Sequence, residues 1–277
     1  MNWRCLILLL LTSLPALAVT GPVESDQSVP TGAEPIRQRD PARAALYQGR
    51  GIELVNAGRF EPALDQFRRA LAFEPADVNA IVNAAYCLDR LGRYDDAIEE
   101  LRRAEKLNPN NPMIFINWGN SLINLKKFEA AIEPLERARD LDASNQLVRL
   151  NLAAAFANSG HPEKAIPELT AATTINSNNA TVFVNLAIIL TGLGRHTDAI
   201  AAYNRAIAID PKNIGAYFNC AALHERTGNL AGAIEKIEAA LQADPGNATL
   251  TDILNRLKAN RDQRPAIVPI LPGATLN

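Results

Sequence analysis

The chain has 277 residues and carries 28 Lys and Arg against 30 Asp and Glu, a formal net charge of −2 at pH 7. This balance provides no basic patch that could release counterions from nucleic acid, so we expect no nucleic-acid partner. Beyond Cys5, only Cys87 and Cys220 remain. We expect these two to be buried free thiols that act as small hydrophobic residues.

Residues 1–18 have the layout of a secretory signal peptide. Arg4 precedes a short apolar run, and residues 16–18 (Ala-Leu-Ala) supply a cleavage site of small residues. The alternative is an uncleaved membrane anchor, which needs about 20 apolar residues. Thr, Ser and Pro within residues 12–15 interrupt the run too early for that. We expect a periplasmic or secreted protein, from a bacterium, that does not span the membrane after processing.

Residues 19–43 are predicted to be a disordered linker. Four prolines separate Ser, Gly, Asp and Glu residues there, and no apolar period is present.

From residue 44 onward one pattern of turn and apolar residues recurs at a constant interval. This interval is the number of residues from Gly58 to Gly92. The copy at residues 92–111 begins with a turn glycine and ends at Asn108-Pro109, because Pro cannot continue a helix. Its apolar residues have the spacing of an amphipathic helix with one buried face. They are Tyr94, Ala97, Ile98, Leu101 and Ala104, and Leu107 is predicted to extend the face.

Three positions define the repeat. The turn residues are Gly58, Gly92, Lys126, Gly160, Gly194 and Gly228. Five residues later come Ala63, Ala97, Ala131, Ala165, Ala199 and Ala233, and seven after these Ala70, Ala104, Ala138, Ala172, Ala206 and Ala240. The terminating prolines are Pro75, Pro109, Pro211 and Pro245. A unit of this length, with helix, Gly turn, helix and Pro in that order, resembles the tetratricopeptide repeat family.

The resemblance implies an all-α fold: a right-handed superhelical solenoid of six helix-turn-helix repeats plus a C-terminal capping helix. The predicted repeats are 44–77, 78–111, 112–145, 146–179, 180–213 and 214–247. Residues 248–263 are the predicted capping helix, and 264–277 form an apolar tail with three prolines. The tail either folds back on the last repeat or adds to a partner. Pro134 and Pro167 lie inside second helices and are predicted to kink them.

The eighth position of each repeat holds a small residue, as a close approach of two helices requires. These residues are Gly51, Ala85, Gly119, Ala153, Ala187 and Ala221. Two residues earlier, five repeats carry an asparagine, although Asn is a poor residue for a helix interior. We call these five the asparagine row: Asn83, Asn117, Asn151, Asn185 and Asn219.

In the resembling family the position of the asparagine row faces a concave groove. An Asn amide can satisfy a peptide N–H and C=O together, so the row is predicted to bind an extended peptide. The predicted groove edge adds Tyr86, Asn120, Asn124 and Asn158, and Phe218 occupies the apolar position that precedes Asn219. Because this groove is mostly neutral, we expect a neutral or apolar segment as ligand. The alternative is that the row is part of the family's scaffold.

The sequence argues against an enzyme, a metal site or a cofactor. His161, His196 and His224 belong to different repeats and lack metal-ligand spacing. We therefore expect a non-enzymatic adaptor of the cell envelope that binds a protein or peptide. The alternatives are a scaffold that self-associates through its convex face and tail, or an accessory subunit of an exported enzyme.

Overall fold

The computed structural model describes residues 39–263. The predicted signal peptide (1–18), most of the predicted linker (19–43) and the predicted tail (264–277) lie outside the described residues. Within them, all regular secondary structure is α-helical. The helices are α1 (Pro41–Asn56), α2 (Phe60–Phe73), α3 (Val78–Arg90), α4 (Tyr94–Leu107), α5 (Pro112–Asn124), α6 (Phe128–Leu141), α7 (Gln146–Asn158), α8 (Pro162–Ile175), α9 (Ala180–Gly192), α10 (His196–Ile209), α11 (Ile214–Arg226), α12 (Leu230–Ala243) and α13 (Ala248–Asp262).

The helices pack as consecutive pairs, which confirms the predicted all-α fold of helix-turn-helix units. We call the odd-numbered helices α1 to α11 first helices and their even-numbered partners second helices. The chain divides into two compact units, residues 1–176 and 177–277. Unit 1 contains α1 to α8 and unit 2 contains α9 to α13. No helix in residues 39–263 has the length and apolar character that a membrane crossing requires.

An Asn or Asp side chain caps the amino end of every first helix and of α13. Its oxygen accepts a hydrogen bond from a backbone N–H of the first turn, which would otherwise have no partner in the helix. The caps are Asp40, Asp77, Asn111, Asn145, Asn179, Asn213 and Asn247. Asp40 with Pro41 starts α1 three residues before the predicted repeat boundary at 44. The same side-chain type recurs because each unit must start a new helix immediately after a short turn.

The buried face of α4 agrees with the predicted stripe except at its end. Ala97, Ile98, Leu101 and Ala104 are buried, whereas Leu107 is 45% exposed. The prediction that Leu107 extends the buried face is therefore wrong. Leu107 is the last residue of its helix, where no following turn covers it.

The two glycines at the eighth repeat position lie against large side chains of their partner helices. A Cβ at Gly51 would lie 2.6 Å from a ring carbon of Phe67, and one at Gly119 would lie 2.5 Å from Leu135 Cγ. Phe67 and Leu135 are both fully buried. The predicted close approach of first and second helix is therefore present at both positions.

Pro134 and Pro167 lie within α6 and α8, which continue past them to Leu141 and Ile175. The missing N–H of each proline removes one backbone hydrogen bond without ending the helix. The predicted kinks at these two prolines stay predictions.

A carboxylate of unit 1 is held between two guanidinium groups. Glu168 on α8 is 8% exposed. It accepts hydrogen bonds from Arg139 on α6 at 2.9 Å and from Arg149 on α7 at 2.8 Å. Burial opposes the charge of Arg139, but its hydrogen bonds to Asp140 and Glu168 outweigh this and raise its pKa. The cluster joins three consecutive helices.

The turn between first and second helices requires a residue in the left-handed backbone conformation, with positive φ. Five of the six turn residues are glycines with positive φ, and the sixth is Lys126 with φ of 59°. A non-glycine residue in this region is strained by contact between its Cβ and the backbone, at a cost of about 1–2 kcal/mol.

Replacing Lys126 by glycine is expected to stabilise the protein. The relief of strain exceeds the extra entropy of glycine in the unfolded chain, so the free energy of unfolding should rise by about 0.5–1 kcal/mol. Urea unfolding followed by circular dichroism measures it. Lys127→Gly is the control, because Lys127 has a negative φ of −85°. An equal rise in both variants would contradict the explanation.

Candidate functional site

The asparagine row of unit 1 lies below the surface. Asn83, Asn117 and Asn151 are 0%, 2% and 3% exposed. Asn117 Nδ2 donates to the Met113 carbonyl at 2.8 Å, and Asn151 Nδ2 donates to Asn120 Oδ1 at 2.5 Å. The physical reason for the burial is that α3 packs directly against α5, and α5 packs directly against α7. The amide donors of Asn117 and Asn151 are therefore used inside the protein, which the sequence did not indicate.

The other predicted groove residues of unit 1 are also engaged by neighbouring groups. Tyr86 is 5% exposed, and its hydroxyl accepts a hydrogen bond from Arg90. Asn158 is half-buried and donates to the Ala154 carbonyl at 2.8 Å. Asn120 is half-buried, and its Oδ1 accepts the bond from Asn151. These side chains therefore form hydrogen bonds within the protein.

A partly buried carboxylate links two first helices of unit 1. Asp89 on α3 accepts a hydrogen bond from the Ser121 hydroxyl at 2.8 Å, and exposed Asn124 donates to both of its oxygens at 3.1 Å. Burial raises the pKa of the Asp89 carboxyl, while these bonds and the charge of Arg90 oppose the rise. The side chain of Asn124 thus bridges α5 to α3.

In unit 2 the side chains at the same repeat positions are more exposed than in unit 1. Asn185 and Asn219 are half-buried, and Phe218 is 45% exposed. The Asn185 Oδ1 atom is enclosed and has no hydrogen-bond partner among residues 39–263. Asn219 and Phe218 are therefore accessible in unit 2, whereas Asn185 is partly accessible but not through its Oδ1 atom.

We call the surface around these residues the Phe218 face. It comprises Val184, Asn185 and Ile188 on α9 and Phe218, Asn219 and Ala222 on α11. Both helices pack against α10. The Arg226 guanidinium at the end of α11 also donates to the Thr191 carbonyl of α9 at 3.3 Å.

The six residues of the Phe218 face are uncharged, and charged residues flank α11 at both ends, with Asp210 and Lys212 before it. The α11 residues Glu225 and Arg226 follow Ala222, and Glu225 is paired with Arg256 on α13 at 2.8 Å. A neutral surface with one exposed aromatic ring and two amide groups can bury apolar groups and form hydrogen bonds to a peptide backbone. Ionic recognition would be confined to its two ends.

Cys87 and Cys220 are buried and free, as predicted. Burial raises the pKa of Cys220 to about 11 and that of Cys87 to about 12. Since the thiolate is the nucleophilic form, both side chains remain unreactive thiols near neutral pH.

The three histidines lie where the sequence places them. His161 and His196 are at the starts of α8 and α10, and His224 is late in α11. Burial and the charge of Lys236 lower the pKa of His224. Residues 39–263 contain no group of three or more His, Cys, Asp or Glu side chains that could hold a metal ion.

Comparison with known families identifies the repeats. A tetratricopeptide repeat profile matches residues 49–112 and 116–180, and a TPR repeat profile matches residues 189–228. These matches together cover more than half of the chain, which therefore belongs to the tetratricopeptide repeat family. Proteins of this family generally mediate protein–protein interactions. No curated protein matches the sequence significantly.

Solved structures share the fold at low identity. The structure of pilF from Pseudomonas aeruginosa is 20% identical, with a TM-score of 0.63 over 77% of this chain and 97% of its own. YrrB, described as a TPR protein with an unusual peptide-binding site, is 19% identical, with a TM-score of 0.58 over 69% and 97%. A chain of the APC/C hetero-tetramer Cut9-Hcn1 is also 19% identical, with a TM-score of 0.58 over 79% of this chain. This protein spans 44% of that chain's length.

Proposed function

We propose that this protein is a non-enzymatic interaction adaptor that binds an extended neutral or apolar segment of a partner on the Phe218 face. The observation that carries the proposal is the exposure of Phe218, an aromatic side chain standing 45% accessible on an uncharged helix surface. An exposed aromatic side chain lacks the favourable free energy that burying its apolar surface would provide, and a bound partner can supply that burial. Aromatic residues are also enriched among the side chains that dominate the binding energy of protein interfaces.

The chemistry of the face favours a backbone-directed ligand. Asn185 and Asn219 stand at the same position of neighbouring repeats. Neighbouring first helices in such a stack lie roughly 10 Å apart, and strand residues rise about 3.4 Å each, so an extended peptide would meet one amide about every third residue. Its apolar side chains would pack on Phe218 and on the edges of Val184 and Ile188.

The accessible amides distinguish this site from unit 1. In unit 1 a peptide could reach Asn117 and Asn151 only after their internal hydrogen bonds had opened, and an unmade buried hydrogen bond costs about 1–3 kcal/mol. We therefore assign ligand binding to Asn185, Asn219 and Phe218, and a scaffold role to the row in unit 1. YrrB offers a precedent for a peptide-binding protein with this fold.

We also propose that the protein acts in the cell envelope after export. The proposal is supported by the signal-peptide pattern of residues 1–18, which lie outside the described residues. If it is right, amino-terminal sequencing of the protein from the envelope fraction will find Val19 as the first residue. A chain that still begins at Met1 would point to a retained amino-terminal segment.

The test of the binding site is Phe218→Ala. A peptide array first supplies a ligand, whose dissociation constant is then measured by fluorescence anisotropy with the parent and the variant. Loss of an aromatic anchor is expected to weaken binding at least tenfold, about 1.4 kcal/mol.

The matched control for this measurement is Leu107→Ala. Leu107 is also 45% exposed, but it lies on a second helix of unit 1. Its removal should leave the affinity unchanged. If Phe218→Ala binds as tightly as the parent, the Phe218 face is not the binding site.

A further inference from the structure

We propose that residues 267–271 of this same chain (Ile-Val-Pro-Ile-Leu) dock on the Phe218 face, so that a partner must displace them. These residues belong to the segment 264–277, which lies outside the described residues. The docking is argued from the geometry of unit 2, and its regulatory consequence rests on the proposed function.

The segment leaves the described structure close to the face. The Arg256 guanidinium on α13 makes two hydrogen bonds to the Glu225 carboxylate on α11, at 2.8 and 3.0 Å. Glu225 lies near the end of α11, and α13 ends at Asp262, six residues after Arg256. The carboxyl-terminal halves of the two helices are therefore adjacent.

The length of the segment fits the distance to Phe218. At about 1.5 Å per helical residue, Asp262 lies about 9 Å beyond Arg256, and Phe218 lies about 10 Å before Glu225. The two axial distances add to about 19 Å. With a lateral spacing of about 8–10 Å between the two helices, the straight line from Asp262 to Phe218 is roughly 22 Å. An extended proline-rich chain rises about 3.1 Å per residue, so seven residues after Gln263 bring Ile270 to Phe218.

The composition of the segment suits this surface. After Arg264 it has no charged side chain, and its sequence includes Pro265, Pro269 and Pro272. Because proline fixes φ, a proline-rich segment is expected to lose less conformational entropy than other sequences when it docks in an extended form. The three apolar residues Ile267, Ile270 and Leu271 can cover the exposed part of the Phe218 side chain, which is 45% accessible. Because the segment is tethered, its effective concentration at the face is on the order of millimolar, which is enough for weak docking to compete with a partner.

Disulfide trapping in the full-length protein tests the docking. One variant carries Ala222→Cys, one turn from Phe218, together with Val268→Cys. The control carries Val268→Cys with Ala208→Cys, a position on second helix α10. The native Cys87 and Cys220 stay buried thiols under these conditions, and peptide mapping assigns the disulfide formed with diamide.

The expected result is a bond within one chain between positions 222 and 268, forming at least about tenfold faster than in the control. Adding Phe218→Ala should slow it to the control rate. Equal rates in the two pairs, or a fast rate that Phe218→Ala does not change, would overturn the proposal. A disulfide between two chains would also overturn it, because the segment would then dock on a second copy.

The two proposals fail in different ways. If trapping fails but Phe218→Ala still weakens binding of the array-selected peptide, the binding site stands and the tail inference falls. If trapping succeeds but Phe218→Ala leaves that affinity unchanged, the face serves the tail alone and the proposed function falls.

Discussion

Glu168→Ala is expected to lower the free energy of unfolding by about 2–3 kcal/mol, measured by urea unfolding. The substitution removes the acceptor of both Arg139 and Arg149, whose side chains are only 26% and 17% exposed. Breaking a fully buried ion pair costs about 3–5 kcal/mol. The remaining solvent access of the two arginines reduces this cost.

Two control variants separate charge from packing at this cluster. Glu168→Gln keeps the volume and one hydrogen-bond acceptor, so it should lose less stability than Glu168→Ala. Asp65→Ala removes the partner of Arg69, but both side chains are about half exposed. Its effect should stay below about 0.5 kcal/mol, as for surface ion pairs generally. Equal losses for Asp65→Ala and Glu168→Ala would show that burial does not strengthen the Glu168 cluster.

Gly119→Ala is expected to destabilise the protein by about 1–3 kcal/mol, although alanine is normally the better helix residue. The new Cβ would lie 2.5 Å from both Cγ and Cδ2 of Leu135, a fully buried side chain on the partner helix. Leu135 cannot move away without displacing its own neighbours, so α5 and α6 must separate.

The controls for Gly119→Ala use a second glycine and a second substitution. Gly192→Ala on α9 meets no atom within 4 Å and should be neutral or stabilising by up to about 1 kcal/mol. Leu135→Val removes bulk at the point of contact, so it should recover part of the loss in the double variant. If Gly119→Ala stabilises the protein as Gly192→Ala does, the close approach of the two helices is wrong.

Much of the fold was predictable because repeated local signals agree. Alanine occupies the positions of Ala97 and Ala104 in all six units, and these alanines are buried, as the helical period requires. The prediction for Leu107 was wrong because periodicity describes the faces of one helix. It does not show how far along that helix the neighbouring helices extend to cover it. The helix caps, such as Asn111, are also visible in the sequence as an Asn or Asp that recurs at the start of each unit.

The candidate site was predictable only as a set of equivalent positions. Asn117 and Asn219 occupy the same place in their repeats, so nothing local to either residue distinguishes them. Asn117 is 2% exposed and bonded within its helix, whereas Asn219 is half-buried beside an exposed phenylalanine. The difference arises from the packing of whole helices, which brings α3, α5 and α7 together.

The amino-acid sequence by itself determined the helices, their pairing and the positions that need small or left-handed residues. These depend on contacts within one repeat unit, and six copies carry the same signal. The tertiary structure alone decided which asparagines are covered, how closely Gly119 approaches Leu135, and that Glu168 lies between two arginines. Each of these depends on distances between helices, which are set by the summed packing of side chains from several repeats.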